Sequence, residues 1–242
     1  KKQLRDLIIL GFVGNAITTL MLNMAFACID VGIVTPIHFT YPIFVTLGCV
    51  IFFHEKLSKQ KVFALIIAMS GIGCFFITAL NSASFGKSTL LGLILAVASG
   101  MFYAFYIIFM DKSGLKSEPP FKITFYVAIA STVGMFIYGM LTKQLVLSSL
   151  THKAWGLSAI FAFLCTVVAL SLLQVGIKYI GASEAAVIST FEPITSVIFG
   201  AILLGEEITL MKIIACSLIF AGVLILSFAK EKSKSNIKIK ES

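Results

Sequence analysis

The chain has 242 residues, 59% of them hydrophobic and only 12% charged, with a formal net charge of +8. A soluble domain holds roughly 45–50% apolar and about 25% charged residues, so this composition cannot coat a water-exposed globule. The basic excess excludes a nucleic-acid surface too: the lysines sit in short connectors and the tail without aromatic interleaving, as expected of segments flanking membrane spans.

The apolar residues come in runs of about 20, the length that crosses about 30 Å of hydrocarbon at about 1.5 Å per residue. Taken in chain order, eight helical spans are predicted: Leu7–Cys28, Ile33–Phe53, Val62–Leu80, Leu90–Met110, Ile123–Leu141, Ala154–Ile177, Ser183–Leu204 and Ile208–Phe228. The connectors His54–Lys61, Asn81–Lys87, Asp111–Lys122 and Thr142–Lys153 carry polar and turn residues, including Pro119-Pro120. The lysine-rich tail from Lys230 to Ser242 is expected to be disordered and held at anionic headgroups. The first residue is Lys, so the chain is not expected to begin at a natural start, and the first apolar run is too long for a cleavable signal. Cys28, Cys49, Cys74, Cys165 and Cys216 lie in or at the ends of apolar runs without a CxxC pair. Neither disulfides, a metal site nor a cofactor is expected.

The stretch Ser183–Phe228 reads as a second copy of Val34–Thr78. Pro42 and Pro193, Ile43 and Ile194, Glu55 and Glu206, Lys61 and Lys212, and Gly71 and Gly222 are each 151 residues apart. With the amino terminus placed in the cytoplasm, cytoplasmic segments hold 15 Lys and Arg and the opposite side 4, which predicts both termini inside. The second span then matches the seventh, five helices later, so the copies cross in opposite senses. The expected architecture is an all-α membrane protein made of an inverted repeat of five-helix units, with eight of ten helices present and the first two missing. Residues 1–80 form a partial first repeat of three helices, 81–229 a second repeat of five, and 230–242 a basic cytoplasmic tail.

Three groups of residues carry a family resemblance. Phe191-Glu192-Pro193-Ile194 is followed by Leu204-Gly205-Glu206-Glu207 and Ala221-Gly222-Val223; Thr40-Tyr41-Pro42-Ile43 is followed by His54-Glu55-Lys56 and Gly71-Ile72-Gly73. With a proline inside the helix and a glutamate at the following turn in each half, the chain resembles the EamA-like transporters of the drug/metabolite transporter superfamily. The resemblance implies a ten-helix inverted-repeat carrier of small organic solutes and says little about which solute.

Glu192 stands near the centre of the seventh span. A charge there costs roughly 2.5–3.5 kcal/mol on insertion scales, so it must face protein or water. It reads either as a partner for a substrate amine or a coupling proton, or as a structural carboxylic acid bonded to a neighbouring helix. His38 lies one turn before Tyr41, the repeat mate of Glu192, which puts His38, Tyr41 and Glu192 at one depth. Pro42 and Pro193 free a carbonyl in mid-helix and are read as kinks or pivots. Asn15 and Asn23 share a helix face and, with Gln174, either line a polar path or make interhelical hydrogen bonds. Tyr103 and Tyr106 either stack on a planar solute or pack as core. Gly71, Gly73 and Gly222 are read as close helix contacts, and Glu55 and Glu206 as membrane-surface caps or gate-side salt bridges with Lys56, Lys59 or Lys212.

The function expected is a secondary transporter in the plasma membrane moving a metabolite, an amino acid-like solute or a drug by alternating access. Protons are the candidate coupling ion, and the other partners expected are the substrate, the lipid bilayer and, as an open alternative, a second copy in a homodimer. The rival reading is a non-transporting membrane subunit or truncated carrier. An intramembrane enzyme is disfavoured because neither HExxH nor GxSxG occurs and only His38 of three histidines is deep.

Overall fold

A computed structural model describes residues 2–29, 31–81, 88–143, 151–205 and 207–241. In hydrocarbon every backbone polar group needs an internal partner, so apolar runs of this length fold as helices. In chain order these are α1 (Lys2–Cys28), α2 (Val31–His38), α3 (Tyr41–Phe53), α4 (Lys59–Asn81), α5 (Thr89–Lys112), α6 (Pro120–Leu141), α7 (His152–Ile180), α8 (Ala182–Ser189), α9 (Glu192–Leu204) and α10 (Leu210–Glu241). Seven stretches among the described residues are long and apolar enough to cross a membrane, with α2–α3 and α8–α9 each counting as one; Leu210–Leu226 is apolar but shorter. The eighth expected span is thus present as a helix of less than full apolar length. Its continuation to Glu241 replaces the disorder expected of the tail. Extending an existing helix needs no new nucleus, and Lys and Glu are good helix formers.

Two departures from regular α-helix recur. A π-helical stretch interrupts α1 at Leu10–Ala16 and α7 at Phe163–Ala169. The second and seventh spans are each broken in two. The break after His38 carries Thr40 N–H to Ile37 O at 3.1 Å and Ile43 N–H to Thr40 O at 2.9 Å; that after Ser189 carries Phe191 N–H to Ile188 O and Ile194 N–H to Phe191 O, both 3.0 Å. Pro42 and Pro193 therefore sit in the first turn of α3 and α9, where a missing N–H costs least, and not inside continuous kinked helices. Both second segments end in a left-handed residue, His54 at φ 53° and Gly205 at φ 67°. The bounds of α2, α3, their caps and the start of α4 all recur 151 residues later in α8, α9 and α10.

Side-chain contacts fix which helix ends lie together. Gln3 Nε2 donates to Glu118 Oε1 (2.6 Å), Lys61 Nζ to Glu184 Oε1 (3.0 Å) and Lys178 Nζ to Ser117 O (3.3 Å), while Lys112 pairs with Glu55. At the opposite end Ser88 Oγ donates to Cys28 O at 3.0 Å. Hence α1 starts at the ion-pair end and α7 finishes there, and α3 finishes where α8 starts.

α4 and α10 also run antiparallel, in a seam too close for side chains at two points. A Cβ on Gly71 would lie 2.7 Å from Ala215 O and from Ile219 Cγ1; one on Gly222 would lie 2.8 Å from Ala64 O and 2.9 Å from Ala68 N. Ala215 and Ile219 stand 151 residues after Ala64 and Ala68, so each glycine meets the counterparts of what the other meets. Gly73, expected to pack likewise, has nothing within 4 Å. The main core gathers around α5, where Tyr106, Ile107 and Met110 pack on Leu10, Tyr41, Val127 and Ile177.

Candidate functional site

The two helix breaks meet. Tyr41, the first residue of α3, is buried in one core cluster with Ala182, Ala185 and Ala186 of α8 and Ile194 of α9. His38 and Ser189 are 151 residues apart, as are Tyr41 and Glu192. The four residues that bracket the two breaks are thus two pairs of counterparts.

From His38 and Tyr41 an aromatic and polar track crosses the core. The rings of His38 and Tyr103 are 5.4 Å apart, Tyr41 stands perpendicular to Tyr103 at 4.7 Å, and Tyr103 lies parallel to Tyr106 at 6.0 Å. Gln174 Nε2 donates to the Tyr106 hydroxyl (3.0 Å), Thr124 Oγ1 donates to Gln174 Oε1 (3.2 Å), and Thr124 and Ser171 share a hydrogen bond of 2.9 Å. Because the single Thr124 proton is used on Gln174, Ser171 is the donor in that pair. At the other end Ser99 Oγ donates to Ala96 O at 2.7 Å and lies 2.9 Å from His38 Nδ1. The Ser99 proton is spent, so His38 donates through Nδ1 and leaves Nε2 free to accept. Small residues admit this arrangement: a Cβ on Gly100 would stand 3.1 Å from His38 O, and one on Gly14 3.0 Å from the Tyr106 ring.

The structure therefore brings together His38, Tyr41, Tyr103, Tyr106 and Gln174, while Glu192 stands exposed at the start of α9. Asn15 stays outside. Its Nδ2 donates to Ser131 Oγ (2.9 Å), which in turn donates to Gly11 O (3.0 Å), an α1–α6 interhelical bond. Asn23 is exposed on α1. Sequence reasoning missed Ser99, Thr124, Ser171 and Ser189. Truncating the buried Gln174 to alanine strands the Tyr106 and Thr124 hydroxyls, which costs about 1–3 kcal/mol for each unsatisfied group. A thermal melt of the purified Gln174→Ala protein is expected to fall by several degrees, and an unchanged melt would show that the network contributes nothing.

The ion pairs Arg5–Asp6, Lys61–Glu184, Lys112 with Glu55 and Asp111, Lys116–Asp111 and Lys122–Glu118 lie at the end that holds Gln3. Glu55 pairs with Lys112 of α5 and not with Lys56 or Lys59; Glu206 lies outside the described residues. Lys122 first, and then Gln3, hold the Glu118 carboxyl below the usual carboxylate range. Besides Lys61–Glu184, the buried pair Thr46–Ser183 (3.1 Å) ties the start of α8 to α3. A separate cavity of about 730 Å³ between α3 and α5 is lined by Phe44, Gly48, Phe105, Ile108 and Phe109, with Lys112 and Ser113 at its polar limit. That lining is almost wholly apolar, unlike the track.

The model of the EamA-like transporter family matches residues 1–78 and 90–228. The chain belongs to the EamA-like transporter family. It is 27% identical over 211 residues to an uncharacterized transporter of Synechocystis, sll1319, covering 87% of this chain and 63% of that protein. With the uncharacterized transporter YcbK of Bacillus subtilis it shares 28% over 202 residues, 80% of this chain and 62% of that one. The chain thus spans a little under two thirds of the length of these relatives. A crystal structure 14% identical superposes with a TM-score of 0.77 over 93% of this chain and 77% of its own, which speaks to the fold alone. Family and apolar helices together make this EamA-like chain an integral membrane protein.

Proposed function

We propose that this EamA-like protein is a secondary carrier that moves a small organic solute across the plasma membrane by alternating access. Its site lies where the two helix breaks meet. Residues 1–80 and 81–229 belong to two repeats inserted in opposite senses, with both termini in the cytoplasm at the ion-pair end. The observation that carries this reading is the reciprocal seam: Gly71 rests on Ala215 and Ile219, and Gly222 on their counterparts Ala64 and Ala68. A local two-fold axis in the membrane plane accounts for such reciprocity, and carriers of this kind bind at the interface of such halves. The matched breaks and π-helical stretches support the same axis. His38, Tyr41, Tyr103 and Glu192 contact the solute, Gln174 and Tyr106 brace them from behind, and the breaks at Pro42 and Pro193 are the pivots. Lys61–Glu184 and Thr46–Ser183 close the cytoplasmic end in the resting state.

Two measurements test this. Counterpart cysteines, Ser58→Cys and Thr209→Cys, in a chain otherwise without cysteine are expected to react with an impermeant maleimide from opposite faces of the membrane; reaction from one face removes the inverted repeat. Proteoliposomes of the whole protein are expected to show saturable counterflow within a panel of radiolabelled amines, amino acids and nucleosides, whereas a protein inert to all of them is a scaffold.

A further inference from the structure

We propose that the groove between α3 and α5 seats an acyl chain of an anionic phospholipid, with the phosphate held at Lys112 and Ser113. The inference is independent of the carrier reading and needs only a chain embedded in a bilayer. The cavity measures about 730 Å³. Its floor is made of small residues: Ala104 is buried, and a Cβ on Gly48 would lie 2.5 Å from Ile108 Cδ1. Leu47, Ile51 and Met101 of its lining are exposed within spanning stretches, so its opening faces hydrocarbon. Along α5 the lining runs from Met101 to Lys112, about 16 Å at about 1.5 Å per residue. That is about half of a hydrocarbon core some 30 Å thick, so the groove is as long as one leaflet is deep. Spread over that length, 730 Å³ leaves a cross-section of about 45 Å², whereas a helix with its side chains fills about 80–110 Å². The groove is too narrow to take in a helix of another chain, and its apolar walls suit extended hydrocarbon.

The polar limit of the groove selects the headgroup. Lys112 Nζ spends two N–H groups on Glu55 and Asp111 and stands 5.4 Å from the ring centroid of Phe53, another lining residue. An ammonium has three N–H groups, so one is left for a ligand. Ser113 Oγ accepts from Leu115 N–H at 3.3 Å and gives its own proton to none of the described residues. Both open groups are donors, which suits phosphate oxygens. Lys112 and Lys116 balance Glu55 and Asp111 in charge. Lys56 and Lys59, just beyond Phe53 in the chain, are exposed and belong to no ion pair among the described residues. That end of α3 therefore carries surplus positive charge. A net anion is favoured there over a zwitterion, whose ammonium would meet the same lysines.

The test places a tryptophan in the groove by Phe105→Trp, in the whole protein with its single native tryptophan removed by Trp155→Phe. Phosphatidylcholine nanodiscs are doped with brominated phosphatidylglycerol or brominated phosphatidylcholine, whose bromines quench a tryptophan that the acyl chain touches. Half-maximal quenching is expected at a mole fraction about fivefold lower for phosphatidylglycerol, since each lysine near the surface contributes roughly that factor. Phe125→Trp, on an exposed side of α6 toward the same end, is the comparison, and there the two lipids are expected to quench alike. Lys112→Gln is expected to abolish the preference, and Lys56→Gln with Lys59→Gln to reduce it. Equal quenching in the groove by both lipids, or the same preference at Phe125→Trp, overturns the proposal, because the lipid then merely coats the surface. No quenching in the groove by either lipid overturns it as well and means that a second copy or another protein covers the opening. Native mass spectrometry of the unaltered protein decides where Phe105→Trp fails to fold: retention of phosphatidylglycerol over phosphatidylcholine is expected, and equal retention overturns the site.

Discussion

Leucine at Gly222 is expected to force α4 and α10 apart and to produce the largest loss of stability of any single substitution in this chain, matched by leucine at Gly71. The reason is that the obstructing atoms are backbone. A Cβ on Gly222 falls 2.8 Å from Ala64 O and 2.9 Å from Ala68 N, and one on Gly71 falls 2.7 Å from Ala215 O. A flexible side chain could swing aside; a carbonyl in a helix cannot. Small residues at such crossings let backbones approach, and close packing drives helix association in lipid, where no hydrophobic force acts between helices. Overpacking costs about 1–3 kcal/mol, with more where backbone must move, and each kcal/mol lowers the melting temperature of a chain this size by about 2–4 °C. Gly73→Leu is the control, because nothing stands within 4 Å of its Cβ position. Melts of the three purified variants decide the matter. Gly71→Leu and Gly222→Leu should fall together and Gly73→Leu should stay with the parent protein; coincidence of all three would dismiss the seam.

Much of this seam was legible in the sequence, because Gly71 and Gly222 are in register with the repeated prolines. The reading failed at Gly73, which lies two residues on and so on another face of the helix. The spans were legible because apolar runs have few alternatives to helix in lipid. The breaks in the second and seventh spans were signalled by Pro42 and Pro193, but a proline does not say whether a helix bends or restarts. The hydrogen bonds across residues 37–43 and 188–194 say that it restarts.

For the site, repeat arithmetic put His38, Tyr41 and Glu192 at one depth, and the structure brings Tyr103, Tyr106 and Gln174 alongside. Asn15 and Asn23 were grouped by helical spacing, eight residues apart at 3.6 per turn. Eight residues are about 2.2 turns, which leaves the two side chains roughly 80° apart: Asn15 meets α6 and Asn23 is exposed. Ser99, Thr124 and Ser171 were invisible for a different reason. A hydroxyl inside an apolar run has no periodic signature, and their bonds join residues 47 to 61 positions apart. Glu55 shows the same limit: the sequence offered it Lys56 and Lys59, and the fold gave it Lys112, 57 residues away.

Breaking the Lys61–Glu184 bond is expected to open the ion-pair end selectively. Lys61 Nζ lies 3.0 Å from Glu184 Oε1, with side chains 9% and 29% exposed, and Thr46–Ser183 stands beside it. Both bonds fasten the start of α8 to α3 and α4. The counterparts of these four residues are Lys212, Ile33, Val197 and Gly32, and neither a lysine against isoleucine nor a valine against glycine can form such a bond. This clasp therefore has no copy at the counterpart positions, and in the proposed carrier it favours closure at this end. An exposed ion pair contributes about 0–1 kcal/mol and removing one partner of a buried pair costs about 3–5 kcal/mol; this half-covered pair falls between them. Since about 1.4 kcal/mol is tenfold in an equilibrium constant, Glu184→Gln is expected to raise the population open at this end by roughly tenfold or more. The readout is alkylation of a cysteine placed by Ala186→Cys, a position fully buried behind the bond, using an impermeant maleimide from the proposed cytoplasmic face. The charge-swapped pair Lys61→Glu with Glu184→Lys is expected to return the rate toward that of the parent, and Lys212→Gln to leave it unchanged. Acceleration from the outer face, or none from either, would mean that the bond serves only to hold the fold together.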